Sequence, residues 1–305
     1  MAQPAEIFVR DLRPQRTWGA SVAWDLFLEG VGAGLFFLAV LLHRYGFIAD
    51  TPADLGAWAG LVAAGTGTFF LFAHLGVRKR FLNVYRRPRA SWVSRGAYIV
   101  TLFVVFGFVS LLPSLPGLEG LPWEEGTSAG ATLRSAALVF AMLLMAYTGF
   151  ILSSWPSIPF WNTPLLPLLF IANSLLAGGA VLLMLGAIVE AEEITSRLKV
   201  TTLALSVGNG FGLLFYLMVM ASATAPARES VRRLLRGEER WAFLLGIVGI
   251  GILLPVLFLA LETGGLLGSG TAELVILVVG GLAVLTGGVV LRDVFLRVGV
   301  YGYPV

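Results

Sequence analysis

The 305 residues are 57% hydrophobic and only 13% charged, with a mean hydropathy of +0.87. Soluble domains are about a quarter charged, so the composition predicts an integral membrane protein. No cysteine is present, which excludes disulfides, Fe–S clusters and thiolate metal sites, and His43 and His74 are all the imidazole available. The pI near 9.4 is read as basic loops flanking membrane helices and not as a nucleic-acid-binding charge.

Apolar segments of about 20 residues mark membrane spans. Eight are predicted, at 18–43, 57–77, 93–113, 131–153, 164–189, 199–223, 241–262 and 271–292, giving an all-α transmembrane bundle in one domain over 1–305. The polar start MAQPAEIFVRDLRPQR leads into the first apolar run with no small-residue cleavage site after it, so 18–43 is read as a retained helix. An even number of spans puts both termini on one side, here termed the terminal face. That face receives Arg10, Arg13 and Arg16, the run 78–95 (RKRFLNVYRRPRASWVSR), the arginines of 225–240, and Arg292 and Arg297. Together these are 17 of the 21 Lys and Arg, leaving only Arg44, Arg134, Arg197 and Lys199 opposite. By the positive-inside rule the terminal face is cytoplasmic, in a multi-pass protein of the inner or plasma membrane.

The loops differ in kind. Segment 78–95 is basic with interleaved aromatics and suits a headgroup-level helix or a docking surface, and 225–240 is a second basic amphipathic stretch on the same face. Segment 114–130 is acidic and rich in Gly and Pro. Segment 154–163 (SWPSIPFWNT) has no charge and is expected to fold back into the terminal-face interface.

The first span carries Asp25 and Glu29, four residues apart and therefore on one helix face. A small-residue track of Gly30, Gly32, Ala33 and Gly34 would let a neighbouring helix approach closely. Acids inside a span are costly unless they meet a partner, a cavity or a ligand. Three further spans bring polar groups to similar depth: His74 about one turn from the end of the second, Tyr147 about two turns from the end of the fourth, and Arg95 in the first turn of the third. Such a layer suits a quinone, which needs an apolar slot, hydrogen-bond donors at its carbonyls and a titratable group. Asp25 and His74 would handle protons, Tyr147 would donate to a carbonyl, and Glu29 would relay protons or serve structure. The competing readings are a purely structural pairing of the acids with Arg95 and a proton-coupled secondary transporter. Asn173, Ser206 and Asn209 lie near mid-membrane, where they could line a water path and where interhelical hydrogen bonding is the favoured role; His43 is assigned to the opposite surface, and GNGFG (208–212) to helix packing and not to a phosphate loop. The two histidines lie near opposite faces and are unable to clamp a bis-His haem, so a partner would have to bring electrons.

Three stretches carry a resemblance: AWDLFLEGVGAG (23–34), HLGVRKRF with RRPRASWVSRGA (74–97), and YTGFILSSWPSIPFWNTPLLPLLF (147–170). They are similar to the NrfD/PsrC family, the membrane subunits of polysulfide-reductase-type complexes. The resemblance implies a haem-free helix bundle that binds a menaquinone-type quinone beneath a docked Fe–S subunit, which in turn contacts a molybdopterin catalytic subunit. It places Asp25 at a first-helix quinone ligand, Tyr147 at the fourth-helix tyrosine and His74 close to an acidic position, with Val22 in place of a polar ligand. Many relatives carry their catalytic subunits outside the cytoplasm, which opposes the side given by the charge bias.

Overall fold

The computed structural model describes residues 13–73, 78–86, 88–89, 91–189, 192–265 and 270–302. Among these the chain is helical, apart from one antiparallel bridge between Pro14 and Val300. In order come α1 (Ala20–Arg44), α2 (Asp50–Ala73), a 3-10 stretch Arg78–Arg86, α3 (Trp92–Leu111), α4 (Ser128–Ser153), α5 (Leu165–Ile188), α6 (Glu192–Ser222) and the short amphipathic α7 (Ala225–Arg236). A π-helical segment, Ala242–Leu253, then runs into α8 (Leu254–Thr263), and α9 (Thr271–Arg297) closes the bundle. Hydroxyl groups cap the start of two of them: Ser91 Oγ accepts from Ser94 N at 3.4 Å on α3, and Thr127 Oγ1 from Gly130 N at 3.0 Å on α4.

Among the described residues seven helical segments are long and apolar enough to cross a membrane: α1, α3 with its extension to Ser114, α4, α5, α6 from Thr195, Ala242–Thr263, and α9. The protein is therefore a multi-pass membrane protein. The eighth predicted span, α2, is a helix of 24 residues, and the last four residues predicted for it, 74–77, lie outside the described residues. Its helix also begins at Asp50, seven positions before the predicted start.

α1 is central, with α2, α4, α5 and α9 all packed on it. The small-residue track was expected to admit one neighbour; it admits two. Gly32 faces α2, where a Cβ on Gly60 would stand 2.7 Å from Gly32 O and 2.8 Å from Phe36 N. Gly30 and Gly34 face α5 at Ser174, so α1 is pressed from both sides by backbones that only small residues allow.

The ends of the described chain knit together on the terminal face. Gln15 N donates to Gly299 O at 2.9 Å and Tyr301 N to Arg13 O at 3.0 Å. Segment 154–163 folds into the bundle as its lack of charge predicts: Ile158, Phe160 and Trp161 are buried, Trp161 Nε1 donates to Phe295 O at 2.8 Å, and Tyr216 Oη donates to Phe160 O. On the opposite face His43 sits half-buried at the surface, its Nε2 3.0 Å from Glu125 Oε1.

Candidate functional site

Asp25 and Glu29 lie where α2 presses onto α1. A Cβ on Gly67 would meet Asp25 O at 3.0 Å and Glu29 N at 3.1 Å, so the absence of a side chain there brings α2 onto the acid-bearing turn. Both acids are buried, at 4% and 3% exposure. Thr68 Oγ1 lies 3.2 Å from Glu29 Oε1 and 3.1 Å from Ala64 O, one hydroxyl proton for two acceptors. Asp25 Oδ1 and Glu29 Oε2 are buried without a hydrogen-bond partner. Among the described residues no arginine or lysine is paired with either acid.

Tyr147 comes from α4 into the same region. Its side chain is buried and lies within electrostatic range of Glu29 and Asp25. Gly96 on α3 makes room for it, since a Cβ there would fall on the phenol's Cζ, Cε2 and Oη. This gives a physical reason for the glycine in the SRGA stretch, which sequence reasoning did not supply. Arg95 turns elsewhere. It donates to Pro88 O at 3.0 Å and Arg89 O at 2.9 Å, and its guanidinium lies 4.5 Å from the centroid of Trp92, which stacks on Phe150. The structure thus brings Asp25, Glu29 and Tyr147 together and gives Arg95 contacts with its own loop. His74 lies outside the described residues.

One charged residue was misplaced by the sequence. Arg292 was counted with the terminal-face arginines because the last span was drawn to end there. Helix α9 continues to Arg297, and the apolar Val294, Phe295 and Leu296 are the signal that the span goes on. Arg292 is instead fully buried on the other side of α1 from the acids. Its guanidinium is held by neutral groups: Leu26 O at 3.2 Å, Gly288 O at 3.2 Å, Asn173 Oδ1 at 2.5 Å and Ser174 Oγ at 3.3 Å. The rings of Phe27 and Phe170 flank it at 5.3 and 5.1 Å. Asn173 therefore makes the interhelical bond expected of it, whereas Ser206 bonds back to Thr202 O within α6.

Comparison with known proteins gives one consistent answer. The family model described as "Polysulphide reductase, NrfD" matches residues 9–301. Protein NrfD of Escherichia coli is 30% identical, over 79% of this chain and 83% of its own length. The C component of the Wolinella succinogenes polysulfide reductase is 28% identical over 92% and 94%, and that of the Mesobacillus selenatarsenatis selenate reductase 23% identical over 85% and 70%. A match over nearly the whole length and a relative 30% identical over most of both chains show the family: the chain belongs to the polysulphide reductase NrfD family.

Proposed function

We propose that this chain is the quinone- and quinol-binding membrane subunit of a reductase complex. It exchanges electrons between a menaquinone-type quinone and an Fe–S subunit docked on the terminal face, which passes them to or from a molybdopterin catalytic subunit. The relatives named as components of polysulfide and selenate reductases support a place in a multi-subunit enzyme. The basic segments 78–95 and 225–240 would form the docking surface, with lipid around the rest. Eight spans, with α2 among them, and both termini on one cytoplasmic side complete the reading; the pairing of residues 13–15 with 299–301 supports the common side.

The observation that carries the proposal is the acid pair, which has no cationic partner among the described residues. Burying two carboxylates as anions without a cation costs several kcal/mol, so the arrangement favours groups that hold and hand on a proton. Two unpartnered buried oxygens beside a phenol also fit a ligand that offers carbonyl oxygens and hydroxyls. When bound, a quinone supplies the redox chemistry that this cysteine-free chain lacks. Asp25 exchanges the proton at its Oδ1, with His74 as the second exchanging group, and Tyr147 Oη donates to a carbonyl oxygen. Glu29, positioned by Thr68 Oγ1, relays protons one turn deeper. Arg95 orders the 88–95 loop above the site.

The test is quinol-linked turnover of the complex expressed with its partner subunits. Asp25→Asn keeps the shape and removes the exchangeable proton, and is expected to slow turnover by about a hundredfold or more while the complex still assembles; His74→Ala should behave alike. Wild-type turnover in Asp25→Asn, or loss of assembly in both variants, would overturn the assignment.

A further inference from the structure

The polar residues of α6 form a line that the acid-pair site does not use. Thr195, Lys199, Thr202, Ser206 and Asn209 recur at alternating spacings of four and three, which puts them on one face of the helix. Thr195, Thr202, Ser206 and Asn209 are buried, while Val200, Val207, Phe211 and Leu214 on the other faces are exposed, as lipid-facing residues are. The polar face meets α5. A Cβ on Gly186 would lie 3.4 Å from Thr195 Oγ1, one on Gly179 would lie 3.6 Å from Thr202 Oγ1, and one on Gly212 would lie 3.8 Å from Leu169. These three pairs advance residue for residue in opposite directions, so Asn209 stands opposite Ala172, next to Asn173, whose Oδ1 binds Arg292.

Two features distinguish this seam from ordinary helix packing. Thr202 Oγ1 and Asn209 Oδ1 are buried with no hydrogen-bond partner, and so is Glu262 Oε2 at the outer end. Buried oxygens of this kind are normally satisfied by water where no protein group reaches them. The outer end is also open. A cleft of about 600 Å³, lined by Ala187, Thr195, Thr271 and Glu273 among others, lies at the face opposite the acid pair, where α5 ends and α9 begins. Beside it Lys199 Nζ sits between Glu262, at 3.1 Å, and Glu273, tying α6 to α8 and α9.

We propose that the α5–α6 seam is an aqueous inlet. It opens at the Thr195–Glu273 cleft, passes Thr202 and Ser206, and ends at Asn209 beside the Asn173–Arg292 pair. It admits water, and the protons water carries, halfway into the membrane from the face opposite Asp25. The inlet stands whether or not the chain handles a quinone; if it does, turnover draws on protons from both faces.

Because the sequence has no cysteine, a single introduced thiol is the one thiol on this chain and reports access once the denatured chain is separated from its partners and titrated alone. Thr202→Cys, Ser206→Cys and Asn209→Cys are placed in membrane vesicles of known orientation, with the partner subunits present. Silver ion, small enough for a file of water, is added on one side only, and the remaining thiol is titrated after denaturation. Thr202→Cys and Ser206→Cys should lose their titratable thiol when silver is added opposite the terminal face and keep it when silver is added on the terminal face. Asn209→Cys should follow them more slowly. Val207→Cys, on the lipid side at the same depth, and Leu213→Cys, buried and apolar on the same helix, should keep theirs. Full retention at Thr202→Cys and Ser206→Cys from both sides, or loss only from the terminal side, overturns the inlet.

Discussion

Gly96 and Tyr147 offer a test in which the sign of one substitution reverses with its background. In the wild type, a methyl group at position 96 overlaps three atoms of the Tyr147 ring. The ring is buried and cannot simply lean away, so either the phenol leaves its slot or α3 and α4 move apart. Overpacking of this kind costs about 2 kcal/mol, and if the proposed quinone site is right, a displaced phenol also forfeits its hydrogen bond to the quinol, about 1 kcal/mol or about fivefold in KM. Tyr147→Ala empties the slot at a cost of about 3 kcal/mol. Once it is empty, Gly96→Ala no longer meets the ring and gains the helix preference of alanine over glycine, about 0.5–1 kcal/mol. The prediction is that Gly96→Ala lowers the melting temperature of the detergent-solubilised complex in the wild type and raises it in Tyr147→Ala. The same sign in both backgrounds, or no change in either, would refute the cradle.

Two further outcomes follow from single contacts. Thr68→Val keeps the shape but removes the one described donor to Glu29, leaving a buried carboxyl less satisfied; a loss of about 1–3 kcal/mol in denaturant unfolding is expected, and Thr68→Ser, which keeps the hydroxyl, should recover most of it. Outside the membrane, partial burial raises the Glu125 carboxyl, but Arg134 at 2.5 Å and His43 outweigh that and hold it below the usual glutamate value of 4.5. A lowered carboxylate contributes stability above that value and loses it as pH falls through the folded value. Arg134→Met should therefore lower the stability in denaturant unfolding slightly at neutral pH, by less than about 1 kcal/mol because Glu125 is exposed, and the difference should close below about pH 4.5; a gap that persists there would contradict the pairing.

What could be read in the sequence was what hydrophobicity and helical period determine. The acid pair declares itself because two carboxylates four residues apart in an apolar run have no cheap explanation. Segment 154–163 declares itself because it has aromatics and no charge. Position along a span was harder to read. Arg292 looks like an interface arginine when the helix is cut at the last glycine-rich stretch, and α9 continues past it to Arg297. The roles of Gly67 and Gly96 were hidden for a different reason. A glycine's meaning lies in what approaches it, and neither the α2 crossing nor the Tyr147 ring can be inferred from the glycine's own neighbours in sequence. The π-helical turns over Ala242–Leu253, which precede Pro255 and its missing N–H, leave no periodic trace in a stretch that is apolar all round.

The placement of charge around α1 explains why the acids remain available. Leu26, Phe27 and Gly30, which meet Arg292 through a carbonyl, a ring and an empty β-position, lie around the helix from Asp25 and Glu29, which meet α2 and the Tyr147 side. Had the guanidinium reached the carboxylates, the result would be a locked ion pair, strong to break and useless for exchanging protons. Instead α5 and α9 supply Arg292 with neutral oxygens and aromatic faces, and among the described residues these hydrogen bonds hold the buried cation without a counter-charge. The cation is satisfied on one side of the helix and the acids are left unsatisfied on the other. That asymmetry separates two roles within a single span: α1 is clamped in the bundle through its Arg292 face, and on the proposed reading the carboxylates on the opposite face are the ones that meet a ligand.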